Sequence, residues 1–429
     1  MYPDADIGNV THKRRLSFIV IGAGLIGPRH ANHIRQRPDC EIFAIVDHSS
    51  KGPSVAKEFN TLLFKNLDEL FRYCELNNNM VFPDAAIIAT PNATHVPLGL
   101  QLADKGIHLL VEKPLAPSAS DCKTLIDFCS KKNVNLLVGH HRRFNPYIVA
   151  TKENLHQVGN PIAIQGTWAL SKNASYFTEK PWRTSVELGG GTLLINLIHD
   201  LDLLQYLLGP IEKVYAELLS KQRSIPGKSY DELVDEGAAL TIRFASGCCG
   251  TFICSDNVTS PFLFESGTGE NPTIPFNDTI AGFYRIFGTR GTLSVPDLNL
   301  YHQSNLQVED RSWLQPISCN KIKMQHELME DDSLQDDFGM LSPSPSPNFK
   351  DSPIYHISKG EKPKPFDLQL DHFINLINMS ENVVKCPGED ALRALLCIEA
   401  VLKSIKTGSP QYVEEIENIY SNEELLKNL

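Results

Sequence analysis

Along residues 16–138, short apolar runs alternate with amphipathic stretches. The runs at 16–21, 41–46, 84–89, 107–111 and 134–138 read as strands, and helical periods such as 121–128 lie between them. Alternating strand and helix predicts right-handed crossovers and a parallel sheet covered on both faces. Further on, 161–170, 211–219, 238–244, 250–254 and 284–287 read as strands with few helices between them. That pattern predicts a mostly antiparallel sheet, open on one face. The exception is 192–208, a helical period closed by Gly209-Pro210; helical periods return from Phe366 through 391–405. We divide the chain into a tail (1–14), a first domain (15–146) and a second domain (147–429). Within the second, 304–365 is acidic and Ser/Pro-rich, holding Met329-Glu330-Asp331-Asp332 and repeated Ser-Pro, and is expected to be a disordered insertion.

Length and composition allow two cored domains: 429 residues, 42% of them hydrophobic. The net charge of −11 argues against nucleic acid or an anionic membrane as partner. No apolar run reaches the roughly 18 residues needed to cross a bilayer. The run 16–21 is interrupted by Gly22-Ala23-Gly24, so it reads as a first strand rather than a signal peptide. None of the ten cysteines forms Cys-x-x-Cys, so no metal site is expected, and buried reduced thiols point to a cytoplasmic protein.

Chemistry enters at Gly22-Ala23-Gly24-Leu25-Ile26-Gly27, which follows a strand and opens a helix. Gly22 permits a tight turn, Gly24 admits a pyrophosphate, and Gly27 lets the helix approach the strand. Leu25 and Ile26 carry the loop into a helix N-terminus, whose free N–H groups suit phosphate. Asp47, twenty residues after Gly27, ends the second strand, where an acid binds ribose hydroxyls. Such an acid favours NAD; Ser49, Ser50 and Lys51 leave NADP open. Thr90, Pro91 and Asn92 follow another strand and are expected to line the nicotinamide-ribose side, although a plain Pro-Asn turn is the competing reading.

Glu112-Lys113-Pro114 ends the run 107–111. Proline disfavours helix at Lys113, so the strand should stop there and present the lysine where a hydroxyl or carbonyl can be polarised. The alternative is a surface lysine with a packed stem. Gly189-Gly190-Gly191 precedes the helix bearing His199. At helical spacing Thr192, Ile195, Asn196, His199 and Asp202 share the stripe opposite an apolar arc. His199 is thus either an acid/base candidate or a surface histidine paired locally with an aspartate.

The ordered set resembles the Gfo/Idh/MocA family of NAD(P)-dependent oxidoreductases. It comprises the glycine loop, Asp47, Ala89-Thr90-Pro91-Asn92, Glu112-Lys113-Pro114, 139–146 (Gly-His-His-Arg-Arg-Phe-Asn-Pro), Trp182-Arg183 and the triple-glycine helix. The resemblance covers nearly the whole chain outside the tail and the insertion. It implies an α/β chain: an N-terminal Rossmann parallel sheet, with Glu112 and Lys113 beside the cofactor, plus a C-terminal α/β domain with a large, mostly antiparallel open sheet. It further implies a homo-oligomer, dimer or tetramer, built through that sheet. Substrates would be polyols, inositols, sugars or sugar acids, with Lys113 and His199 flanking the reacting carbon. Arg142, Trp182, Arg183 and Asn196 are further substrate-binding candidates. One departure stands out: many dehydrogenases of the family carry an aspartate four residues before the histidine, and here that position is Ile195. Three readings follow: Asn196 or Asp202 substitutes in part as the orienting group, Lys113 carries more of the proton transfer, or the site is impaired. An NAD(P)-binding regulatory or scaffold protein, and non-redox chemistry with retained NAD, remain as competing functions.

Overall fold

A computed structural model describes residues 14–77, 79, 81–185, 189–225, 227–229, 232–271, 273–280, 282–303, 306–324 and 364–428. The basic residues His12 and Lys13, with most of the expected tail, lie outside them, as do residues 325–363 of the expected insertion. The chain folds as two compact units. One runs to Glu112 and takes back Thr124–Leu137 and the C-terminal turn from Glu423; the other holds Lys113–Lys123 and Val138–Asn422.

The first unit is built on six strands: β1 (Leu16–Ile21), β2 (Cys40–Val46), β3 (Leu62–Phe64), β4 (Ala85–Ile88), β5 (His108–Val111) and β6 (Leu136–Val138). Their spatial order is β3-β2-β1-β4-β5-β6. The pairings of β1 with β2 and β4, of β2 with β3, and of β4 with β5 are parallel. All four residues of β4 are buried, as expected of a central strand covered on both faces. The order reverses at β1, so the carboxyl ends of β1 and β4 flank the position where open parallel sheets bind ligands. The sequence pattern does not mark β3, whose three residues are too few to display a period.

The second unit holds a nine-stranded sheet: β7 (Pro161–Ala169), β8 (Ile211–Leu218), β9 (Gly237–Phe244), β10 (Cys249–Ser255), β11 (Tyr284–Gly288), β12 (Gly291–Val295), β13 (Asn299–His302), β14 (Ser318–Lys321) and β15 (Gln411–Tyr412). The order is β14-β13-β12-β11-β7-β10-β9-β8-β15, and among these described strands only β10 with β7 pair in parallel. Along β9, Leu240, Ile242 and Phe244 point inward while Ala239, Thr241 and Arg243 point outward. The inward face packs on helices Ile198–Leu208 and Gly388–Thr407, whose Leu201, Leu204, Ile398 and Val401 join the core. Each such side chain contributes about 1.5–3 kcal/mol by leaving water. The outward face exposes Ile162, Ile253 and Phe287.

Three sequence expectations need correction. The segment from 306 to 324 is not an unstructured insertion: β14 extends the sheet against β13, and Ile322 and Met324 are buried. Helix Pro365–Ile377 likewise begins at the expected insertion's end. Lys113 and 139–146, expected in the first domain, fall in the second compact unit. The third concerns the histidine helix. Leu193–Leu197 is a π-turn, so the 100° rotation assumed for the polar stripe fails at that point. His199 and Asp202 are buried, not solvated.

Candidate active site

Two constellations carry chemistry, one in each unit. In the first, the backbone after β1 turns at Gly22 (φ +103°) and enters helix Ile26–Arg35. A Cβ on Gly27 would sit 1.8 Å from the carbonyl oxygen of Gly22, so only glycine lets this helix start so close to the loop. At Gly24 nothing lies within 4 Å of such an atom, and the face a phosphate would approach is bare. Leu25 is exposed beside it, and Ile26 begins the helix. Asp47 follows β2 and accepts from the amides of Ala23 (2.5 Å) and Ser49 (2.6 Å). Burial pulls its carboxyl upward, but the bonds from Ser49 and Ala23 outweigh this and hold it below the usual range. A fixed, ionised, half-exposed carboxylate beside a bare glycine loop fits the ribose and pyrophosphate of a dinucleotide.

The remaining nucleotide-side candidates are less uniform. Thr90 receives the Thr94 hydroxyl (2.7 Å), and its carbonyl meets Nε2 of His95 (2.8 Å). Pro91 precedes the short 3-10 turn Asn92–Thr94. Glu112 is bound to Nε2 of His30 at 2.8 Å, a tie within this unit.

In the second unit, the Lys113 ammonium donates to the carbonyl of Ile195 (3.2 Å), in the π-turn just before His199. π-turns inside helices are frequent at functional sites. The turn opens at Gly191, where a Cβ would meet a carboxylate oxygen of Asp235 at 2.1 Å. That carboxylate accepts from the Leu193 amide at 2.9 Å. His199 is buried, and its Nδ1 has no hydrogen-bond partner among the described residues. Burial, followed by the positive charges of Lys113 and Arg142 and by the His141 and His140 rings, holds it well below the usual histidine range. It is therefore a neutral imidazole at ordinary pH, able to accept a proton.

Around it lies a dense ionic layer. The His141 and His140 ring centroids lie 5.8 and 6.2 Å from that of His199. Nε2 of His141 meets Glu270 at 3.1 Å, and the ring stacks on Phe366 at 4.4 Å. Arg142 is buried and donates to Glu265 (2.5 Å), with Glu270 and Asp200 also close. Arg143 grips Asp202 with two bonds (2.6 and 2.9 Å) and reaches Asp390 (2.6 Å).

These contacts reassign several sequence candidates. The charge of Arg142 is met by carboxylates of the protein itself, which leaves a substrate little of it. Arg183 lies over the Tyr176 ring at 3.7 Å and donates to that residue's carbonyl, while Trp182 is partly exposed. Neither of the proposed orienting groups bonds His199: Asn196 accepts from Lys172 (2.7 Å), and Asp202 belongs to Arg143. The residue missed in the sequence is Glu270, which lies 129 positions from His141 and has no local signature.

Known proteins agree with this layout. Residues 16–140 match the Gfo/Idh/MocA oxidoreductase family's NAD-binding Rossmann fold, and 152–414 match its C-terminal alpha/beta domain. The chain belongs to this oxidoreductase family, and its first unit is an NAD-binding Rossmann domain. The myo-inositol 2-dehydrogenase of Thermotoga maritima is 29% identical over 236 residues, 54% of this chain and 66% of that protein. The scyllo-inositol 2-dehydrogenase (NAD(+)) of Bacillus subtilis is 26% identical over 302 residues, 68% and 78% of the two chains. A levoglucosan dehydrogenase solved with NADH has a similar fold (TM-score 0.69, 19% identity, 94% of this chain and 100% of that one). Among other curated relatives the match spans 49%, 63% and 71% of their own length.

Proposed function

We propose that this protein is an NAD-dependent dehydrogenase acting on a secondary hydroxyl of a polyol, inositol, sugar or sugar acid. The supporting observation is the pairing of the Lys113 ammonium with the π-turn that precedes a neutral, buried His199. When bound, NAD⁺ supplies the hydride acceptor. Gly22, Gly24 and Gly27 shape the loop for its pyrophosphate, and Asp47 takes ribose hydroxyls. Lys113 and His199 hydrogen-bond one substrate hydroxyl. His199 accepts its proton as the C–H bond breaks, and Lys113 stabilises the alkoxide that develops.

The test is a panel of myo-inositol, scyllo-inositol and levoglucosan, chosen from relatives' activities. It is run on full-length protein with NAD⁺ or NADP⁺ and read by nicotinamide fluorescence. Lys113→Ala and His199→Ala should each lower kcat about 10²–10⁴-fold with NAD⁺ affinity unchanged. Full activity in both variants removes the assignment. Tight NAD⁺ binding without turnover on the panel would instead indicate a nucleotide-sensing regulator.

A second reading rests on one relative. The 2,7-anhydro-N-acetylneuraminate hydratase of Escherichia coli is 25% identical over 281 residues. On that reading the same groups act on an anhydro-sugar, and substrate disappears with no net NADH formed.

A further inference from the structure

We propose that His141 and Glu270 extend His199 into a proton relay, so that the proton leaving the substrate hydroxyl comes to rest on His141; the inference rests on the dehydrogenase reading. The hydrogen-bonding pattern carries it. Glu270 is buried, and although burial opposes ionisation, His141 and Arg142 hold its carboxyl down at about 2. As an anion it only accepts, so the 3.1 Å contact makes Nε2 of His141 the protonated nitrogen. In the neutral resting ring that the relay requires, Nδ1 of His141 is a lone pair, sealed from solvent and without a partner among the described residues.

The matching orphan is Nδ1 of His199. The two rings stand 5.8 Å apart between centroids, at 75° to each other. The two atoms do not bond each other directly; one water between a His199 ring protonated on Nδ1 and a His141 ring that accepts on Nδ1 satisfies both. It also fixes the other end of His199, because Nε2 becomes the lone pair offered to substrate.

The steps balance. The substrate O–H proton goes to Nε2 of His199 as the C–H bond breaks; its electron pair leaves as hydride to the nicotinamide, and the C–O bond becomes double. The proton on Nδ1 of His199 moves to Nδ1 of His141, and the imidazolium formed is paired with Glu270. His199 never keeps a positive charge that burial, Lys113 and Arg142 oppose. The anionic partner absent at Ile195 is supplied one ring further away. Other charged groups around these rings are Arg142, with Glu265 bound to it and Asp200 beside it, and Lys113, whose charge acts on His199 and His140; helix Pro365–Ile377 contributes the stacked Phe366.

The first test needs no substrate. Full-length protein labelled with ¹⁵N in its histidine rings is measured by long-range ¹⁵N–¹H spectroscopy, with His141→Asn and His199→Asn used for assignment. The relay requires His141 protonated on Nε2 and His199 on Nδ1; His141 protonated on Nδ1 overturns it. The second test uses Glu270→Gln and whichever panel polyol the wild type oxidises fastest. Expected are a kcat about tenfold lower or more, little change in KM, and an acidic limb displaced to lower pH, since the carboxylate that pairs with the transferred proton is gone. A purely structural role lowers kcat without moving the limb, and an unchanged limb overturns the relay. If no polyol is oxidised, the dehydrogenase reading fails, while the tautomers still decide the hydrogen-bond pattern.

Discussion

The glycine loop and the histidine cluster handle charge by opposite means. The loop is made of backbone: a bare Gly24, a tight Gly27 and one carboxylate, Asp47, pinned by two amides. Its chemistry is written at short range, in one glycine loop and an acid twenty residues further on. The cluster is made of side chains delivered by distant segments, from Lys113 through 140–143 and 199–202 to Glu265, Glu270 and Asp390. Nearly every charge in it is buried and answered by another, so removing one group strands its partner. A backbone site fails by steric intrusion and a side-chain site by uncompensated charge.

That contrast is breakable from either side. Gly27→Val should have the largest effect. Its side chain meets the Gly22 carbonyl at a separation no real contact has, so the penalty should exceed the about 1–3 kcal/mol of ordinary overpacking. Loss of NAD⁺ binding by fluorescence titration, or loss of soluble protein, is the expected outcome. Asp202→Ala comes next. It leaves Arg143 buried with Asp390 as its remaining acidic partner and should cost about 3–5 kcal/mol in chemical denaturation. Asp47→Asn is milder: the fold persists, NAD⁺ affinity falls about tenfold, and discrimination against NADP⁺ narrows. A pH effect at Asp200 completes the set. Burial, against the pull of Arg142, raises its carboxyl from 3.8 to about 7. The folded state therefore holds a proton that the unfolded chain has lost between these values, and stability declines across that window as pH rises. Asp200→Asn should flatten that decline, seen as a smaller loss of denaturation midpoint from pH 4.5 to 8 than in the wild type. The same slope in both proteins would contradict it.

The same contrast explains what was legible in the residues. Periodicity marked β1, β2, β4 and β5, because buried central strands read as apolar runs, and glycine spacing marked the loop between them. It did not mark β3 or β12–β15, which are short or lie toward the edges of their sheets. Helical spacing placed His199 correctly on a helix, yet assumed a regular rotation that the π-turn at Leu193–Leu197 breaks. Local reasoning offered Asn196 and Asp202 as its orienting groups. Tertiary packing gave the first to Lys172 and the second to Arg143, and set His141 with Glu270 beside it. No spacing rule joins residues so far apart.

The central claim is that Lys113 and His199 act on one hydroxyl while NAD⁺ takes the hydride. Single-turnover NADH formation, with excess enzyme at saturating NAD⁺ and the best panel polyol, tests it without interference from product release. The account predicts that Lys113→Ala slows this step by about 10²–10⁴-fold while binding NAD⁺ as the wild type does. A variant that forms NADH at the wild-type rate would contradict it.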